Sequence, residues 1–127
     1  MGRDPAEYLT EIISLEEDYR DMFELEKNKY VGIAGMTEDF VIISSAYYDE
    51  NYNFINEDYY YINKNKPKKI FLFSSDKCYN YKLKETSNYD EFILSSDGFN
   101  HMTGEQNEAH NIIFKVMEDG QIINKGH

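Results

Sequence analysis

The chain has 127 residues, with 24 Asp and Glu against 13 Lys and Arg and a formal net charge of −11. At this length one domain is the expectation, and 41% hydrophobic residues with 12 Tyr and 8 Phe argue for a packed core and against disorder. The acid excess excludes an unaided nucleic-acid binder, whose affinity comes from neutralising phosphates. Apolar runs that stop at Phe40–Ile43 and Ile70–Phe73 exclude a helical membrane span.

From the first residue onward, Gly2-Arg3-Asp4-Pro5 reads as a vector-derived joint and Gly126-His127 as a second trace, so residues 6–125 are expected to be the domain. No secretory leader is expected, because acids recur from Glu7 to Glu26 with no continuous apolar core between them. The single cysteine, Cys78, has no internal disulfide partner, so a cytoplasmic, reducing location is expected. The acids are unevenly spread. Residues 1–62 hold 15 acidic and 4 basic residues, a net −11, whereas residues 63–127 hold nine of each.

The opening segment predicts an amphipathic helix. Tyr8, Leu9, Ile12, Ile13, Leu15, Tyr19, Met22 and Phe23 recur at three- and four-residue spacing, and Glu7, Glu11, Glu16, Glu17, Asp18, Asp21, Glu24 and Glu26 fill most other positions. Asp4-Pro5-Ala6-Glu7 has the form of a helix start. Glu24 and Glu26, near the helix end, oppose its dipole.

After Asn28-Lys29 the period changes to two. Strands are predicted near Tyr30–Met36, Phe40–Tyr48, Tyr52–Ile62, Lys68–Ser74, Tyr79–Lys84, Phe92–Ser95, Ile112–Met117 and Gln121–Asn124. Turn residues separate them at Thr37-Glu38-Asp39, Asp49-Glu50-Asn51, Asn63 to Pro67, Asp76-Lys77 and Glu118-Asp119-Gly120, the last with the Asp-Gly of a tight hairpin. Short connections favour antiparallel neighbours. The expected fold is therefore α+β, with the N-terminal amphipathic helix packed on an antiparallel β-sheet meander. Three apolar residues followed by Ser-Ser recur at Val41, Phe71 and Phe92, without the fixed period of a repeat protein.

Four features invite a chemical reading. His101, Glu105, Glu108 and His110 carry metal-ligand and acid–base chemistry, but their spacing matches no metal motif and the glycines around them favour a solvated loop. Cys78 follows Lys77, yet no local base or oxyanion donor accompanies it, so it reads as a small apolar filler. Lys64, Lys66, Lys68 and Lys69 beside Tyr59-Tyr60-Tyr61 suggest a stacking patch for nucleic acid, but strand alternation sends Tyr60 opposite to its neighbours. Gly32 and Gly35 lack the following helix a phosphate loop requires. No catalytic residue, metal or cofactor is assigned.

The tyrosines are more informative. Tyr is enriched at interfaces because a large, stiff ring makes contact while its hydroxyl stays wet. A Tyr row beside acids predicts a docking surface made of Glu16, Glu17, Asp21, Glu24, Asp49, Glu50, Tyr52, Glu57, Asp58, Tyr59 and Tyr61. The expected function is a small acidic inhibitor, in kind an immunity protein or a phage anti-defence protein. It would block a basic protein partner such as a toxin, nuclease or nucleic-acid-binding protein, drawn in by charge and held by aromatic anchors. The alternative is a small-molecule-binding domain or minor enzyme, with a pocket between helix and sheet contacted by Tyr hydroxyls, His101 and His110. Self-association through a sheet edge is a third expectation. No direct nucleic-acid or membrane partner is expected.

Overall fold

The computed structural model describes residues 29–66, 68–84 and 90–126. They form eight strands: β1 (Lys29–Met36), β2 (Phe40–Tyr48), β3 (Phe54–Asn63), β4 (Lys69–Ser75), β5 (Lys82–Lys84), β6 (Glu91–Ser96), β7 (His110–Val116) and β8 (Ile122–Gly126). Local chemistry sets their limits. Thr37 Oγ1 accepts the N–H groups of Asp39 and Phe40, both at 3.2 Å, and closes the β1–β2 turn. Asn63 Oδ1 accepts the Asn65 N–H at 2.8 Å before β4. Gly120 takes φ 89° in the β7–β8 turn, a conformation that favours glycine.

The strands divide into two antiparallel meanders, sheet A in the order β1-β2-β3-β4 and sheet B in the order β5-β6-β7-β8. This corrects the α+β expectation. The described residues are all-β, with no helix among them, and it is sheet B that covers the inward face of sheet A. The predicted helix falls within residues 1–28, outside the described residues. The physical source of the error is the connection after Ser75. Asp76-Lys77 has the composition of a hairpin turn, but the chain leaves sheet A there, runs irregularly through Cys78 to Tyr81, with Asn80 at φ 50°, and begins the second sheet at Lys82.

Alternation then assigns each side chain to a face. Ile42, Tyr59 and Tyr61 of sheet A meet Phe92, Leu94, Ile112 and Phe114 of sheet B in one buried cluster. Its aromatic rings form a circuit that starts and ends on β3. Tyr59 stacks on Phe73 at 4.7 Å, Phe73 on Phe114 at 6.0 Å, Phe114 on Phe92 at 5.2 Å and Phe92 on Tyr61 at 5.7 Å. Rings of this size dominate core energetics through buried area, and ring–ring geometry adds about 0.5–1.5 kcal/mol per pair. On the opposite face of sheet A, Val41, Ile43 and Ile62 form a second buried cluster with Val31, Ile33, Met36 and Tyr60.

Register shifts between Ile33 and Gly35, at Tyr47/Tyr48, at Tyr59/Tyr60 and at Ile113/Phe114 place bulges in both sheets. Bulges bend and twist strands, and here the outer strands of the two sheets approach one another, β1 against β5 and β4 against β8. The first seam depends on Gly35, since a Cβ there would overlap the side chain of Leu83. Among the described residues, no helix is long and apolar enough to cross a membrane.

Candidate functional site

One end of sheet A gathers the start of β1, the β2–β3 turn and the start of β3. The turn is built around Asp49, whose Oδ1 accepts the backbone N–H groups of Asn51 and Asn53, each at 2.8 Å, while its Oδ2 accepts the Asn53 side-chain amide at 3.1 Å. These donors, the Asn53 N–H foremost, hold the Asp49 carboxyl below its ordinary range. Asp49 is thus occupied in shaping the turn, and Glu50 is the exposed acid beside it. The turn carries Tyr52 at φ 63°, left-handed for a residue with a Cβ, and projects it into solvent.

The same end of the sheet carries other exposed apolar groups. Tyr30, Tyr52 and Ile55 are 57%, 63% and 53% exposed. Behind them Tyr48 meets Tyr30 edge-on at 5.3 Å and Phe54 edge-on at 5.8 Å. Ile55 is the extra residue of the β3 bulge, between the Tyr47–Asn56 and Tyr48–Phe54 pairs. The sequence reading named Tyr52 but not Tyr30 or Ile55. Ile55 is exposed because of a bulge, which alternation does not reveal.

The structure separates the other predicted contact residues. Glu57, Tyr59 and Tyr61 are only 6%, 1% and 5% exposed and lie inside, between the sheets. Asp58 points the other way and accepts the Asn56 amide at 2.7 Å. Glu16, Glu17, Asp21 and Glu24 lie outside the described residues.

The buried members form a polar unit of their own. Tyr59 donates its phenol proton to Glu57 Oε1, and Tyr59 Oη accepts the Tyr81 N–H at 2.9 Å. Burial, then the neighbouring Glu57 charge, pushes the Tyr59 phenol far up. Burial and then Glu57 likewise raise the Cys78 thiol, consistent with an inert, buried sulfur. Lys69, from the basic cluster, lies over the Tyr60 ring at 5.2 Å from its centroid.

A cleft opens at the seam between the sheets, with a volume of about 380 Å³. Phe73 of β4, Tyr79 and Tyr81 of the connection, and His110 and Ile112 of β7 form its walls, and the Ser74–Lys77 turn its rim. His110 stacks on Tyr79 at 5.3 Å, whereas His101 lies exposed in the β6–β7 connection, edge-on to Phe99 at 5.0 Å. Glu105 and Glu108 are exposed in the same connection, and no group of three potential metal ligands converges among the described residues. The pocket expected between helix and sheet involves residues outside the described ones; the cleft seen among the described residues lies between the two sheets, and of the two histidines only His110 lines it.

Comparison of the chain with models of protein families, with curated proteins and with solved structures finds no match in any of the three.

Proposed function

We propose that the protein is a binding module of the inhibitor type, in kind an immunity or phage anti-defence protein, and that it occupies a basic protein partner through the hairpin end of sheet A. The observation that carries this reading is the exposure of Tyr30, Tyr52 and Ile55 together at that end, on a turn braced by Asp49. Exposed aromatic anchors on a preset backbone lose little freedom on binding, which is how a small interface gains affinity. Glu50 beside Tyr52, and the net −11 of the whole chain, supply charge that complements a cationic partner and speeds encounter with it. More than half of that excess belongs to residues 1–28, with nine acids against three bases.

The test pairs the full chain with its Tyr30→Ala/Tyr52→Ala variant in affinity capture from host lysate. Captured proteins are identified by mass, and binding to the purified candidate is then measured over a salt series. The expected result is a basic protein held by the wild type, more weakly as salt rises, with a loss of about 2 kcal/mol or more, roughly thirtyfold in Kd, in the double variant. A captured protein that binds both forms equally, or binding indifferent to salt, overturns the proposal.

A further inference from the structure

We propose that the outward face of sheet A is the docking site of the chain's own acidic segment 8–23, which buries its large apolar side chains against Val41, Ile43 and Ile62. The inference concerns the single chain and does not depend on the partner proposed above.

The face is covered, and no described strand lies over it. An antiparallel sheet with one solvated side carries polar residues on that side. The outward positions of β2 are instead Val41, Ile43 and Ser45, each 0% exposed, and Ile62 beside them on β3 is 0% exposed as well. Val31, Ile33, Met36 and Tyr60, which pack on this row, stand next to it in the same sheet, and sheet B lies against the other face. Neighbours in one sheet flank a side chain but leave its tip open to water, so complete loss of exposure requires atoms above the sheet. Ser45 Oγ is a second, independent sign. It is buried with no hydrogen-bond partner among the described residues, and a buried hydroxyl ordinarily has one. The cover is expected to supply it.

Length and position select the occupant. Residues 85–89, also outside the described ones, are five residues tied at both ends to sheet B. Residues 1–28 lead directly into Lys29, the first residue of β1, which lies at the edge of this face beside β2. From Lys29 to Met36 the face is about 23 Å long at roughly 3.3 Å per residue. Residues 8–23 reach about 24 Å even at the short helical rise of 1.5 Å per residue. They bring eight large apolar side chains, from Tyr8 to Phe23, at three- and four-residue spacing, which leaves the acids between them to water. The width agrees too. One segment with its side chains is about 10 Å across and strands stand about 4.8 Å apart, so it covers β1 to β3 and leaves β4 open. On β4, Phe71 of the same face, paired with Tyr60, is 55% exposed.

The test uses the full chain with isotope-labelled Ile, Leu and Val methyl groups. Nuclear Overhauser contacts are expected from the methyls of Ile12, Ile13 or Leu15 to those of Val41, Ile43 or Ile62, and a mixture of labelled and unlabelled chains shows whether they lie within one chain. In Ile12→Asp/Ile13→Asp the Val41, Ile43 and Ile62 signals should move while those of Leu94 and Ile112, between the sheets, hold still. Should that variant unfold, the wild-type contacts decide the matter by themselves. Contacts found only between chains would make the occupant a second copy and overturn the proposal. So would the absence of any contact from residues 8–23, or unmoved Val41, Ile43 and Ile62 signals in a folded variant.

Discussion

At the scale of single residues, the Glu57–Tyr59 pair shows how a polar group is kept inside an aromatic core. The phenol satisfies two neighbours at once, donating to the carboxylate and accepting from the Tyr81 amide. Removing a partner from a buried polar group costs its full desolvation, whereas replacing it by another acceptor costs little. Tyr59→Phe should therefore destabilise the protein by about 2–3 kcal/mol, because it deprives both Glu57 and the Tyr81 N–H, while Glu57→Gln, which keeps an acceptor, should cost about 1 kcal/mol. Urea unfolding of the two variants checks the order, and a larger loss for Glu57→Gln would refute this account. The pair was partly legible in the sequence. Alternation placed Glu57, Tyr59 and Tyr61 on one face, but an acid on that face suggested solvent, and nothing local announced the tyrosine that neutralises the cost of burying it.

At the scale of elements, turn chemistry made the strands readable and also hid how they are arranged. Each of the eight predicted strands overlaps an observed one, although of Tyr79–Lys84 only Lys82–Lys84 is a strand, because short apolar or alternating stretches are separated by polar breaks. The division into two sheets was not legible. Asp76-Lys77 resembles the breaks that form hairpins, and only tertiary packing decides whether the chain turns back or crosses to a second layer. The cleft was hidden for the same reason, since its walls come from β4, β7 and the connection that crosses between sheets. The β6–β7 connection carries a related dependence. Gly98 takes φ 81°, and a Cβ there would overlap the Glu108 carbonyl, while Gly120 takes φ 89° with open space around it. Gly98→Ala should cost about 3 kcal/mol through strain and overlap together, and Gly120→Ala about 1 kcal/mol through strain alone. Thermal unfolding of both variants separates the two contributions. Equal losses would show that the close approach to Glu108 carries no energy.

At the scale of the whole molecule, the tyrosine-rich core ties stability to alkaline pH. Burial is the first cause that raises the phenols of Tyr48, Tyr59, Tyr60, Tyr61 and Tyr81, with Tyr60 pushed up to about 12. An unfolded chain releases these protons near pH 10, and the folded one retains them to higher pH. The stabilisation is thus fully present below about pH 10 and is lost as pH rises toward the folded values. The fully buried Tyr59 alone corresponds to about 1.4 kcal/mol per pH unit in that window. Urea midpoints should fall above about pH 10, and phenolate absorbance from these residues should appear in step with unfolding. Complete tyrosine ionisation with unchanged circular dichroism would contradict it.

The sheet order has a kinetic consequence. Among the described residues, every hydrogen-bonded strand pair joins neighbours in sequence, β1 with β2 through to β7 with β8, except that β4 and β5 do not pair. Each meander can zip outward from its own turns with little loop-closure entropy. Among the described residues, distant encounters arise where the two sheets meet, at the β1–β5 and β4–β8 seams and across the aromatic core between them. Most of the ladder is thus assembled from local steps, a route that favours fast folding for a protein made of strands. The barrier is left to the moment when the two halves exclude water from the rings between them.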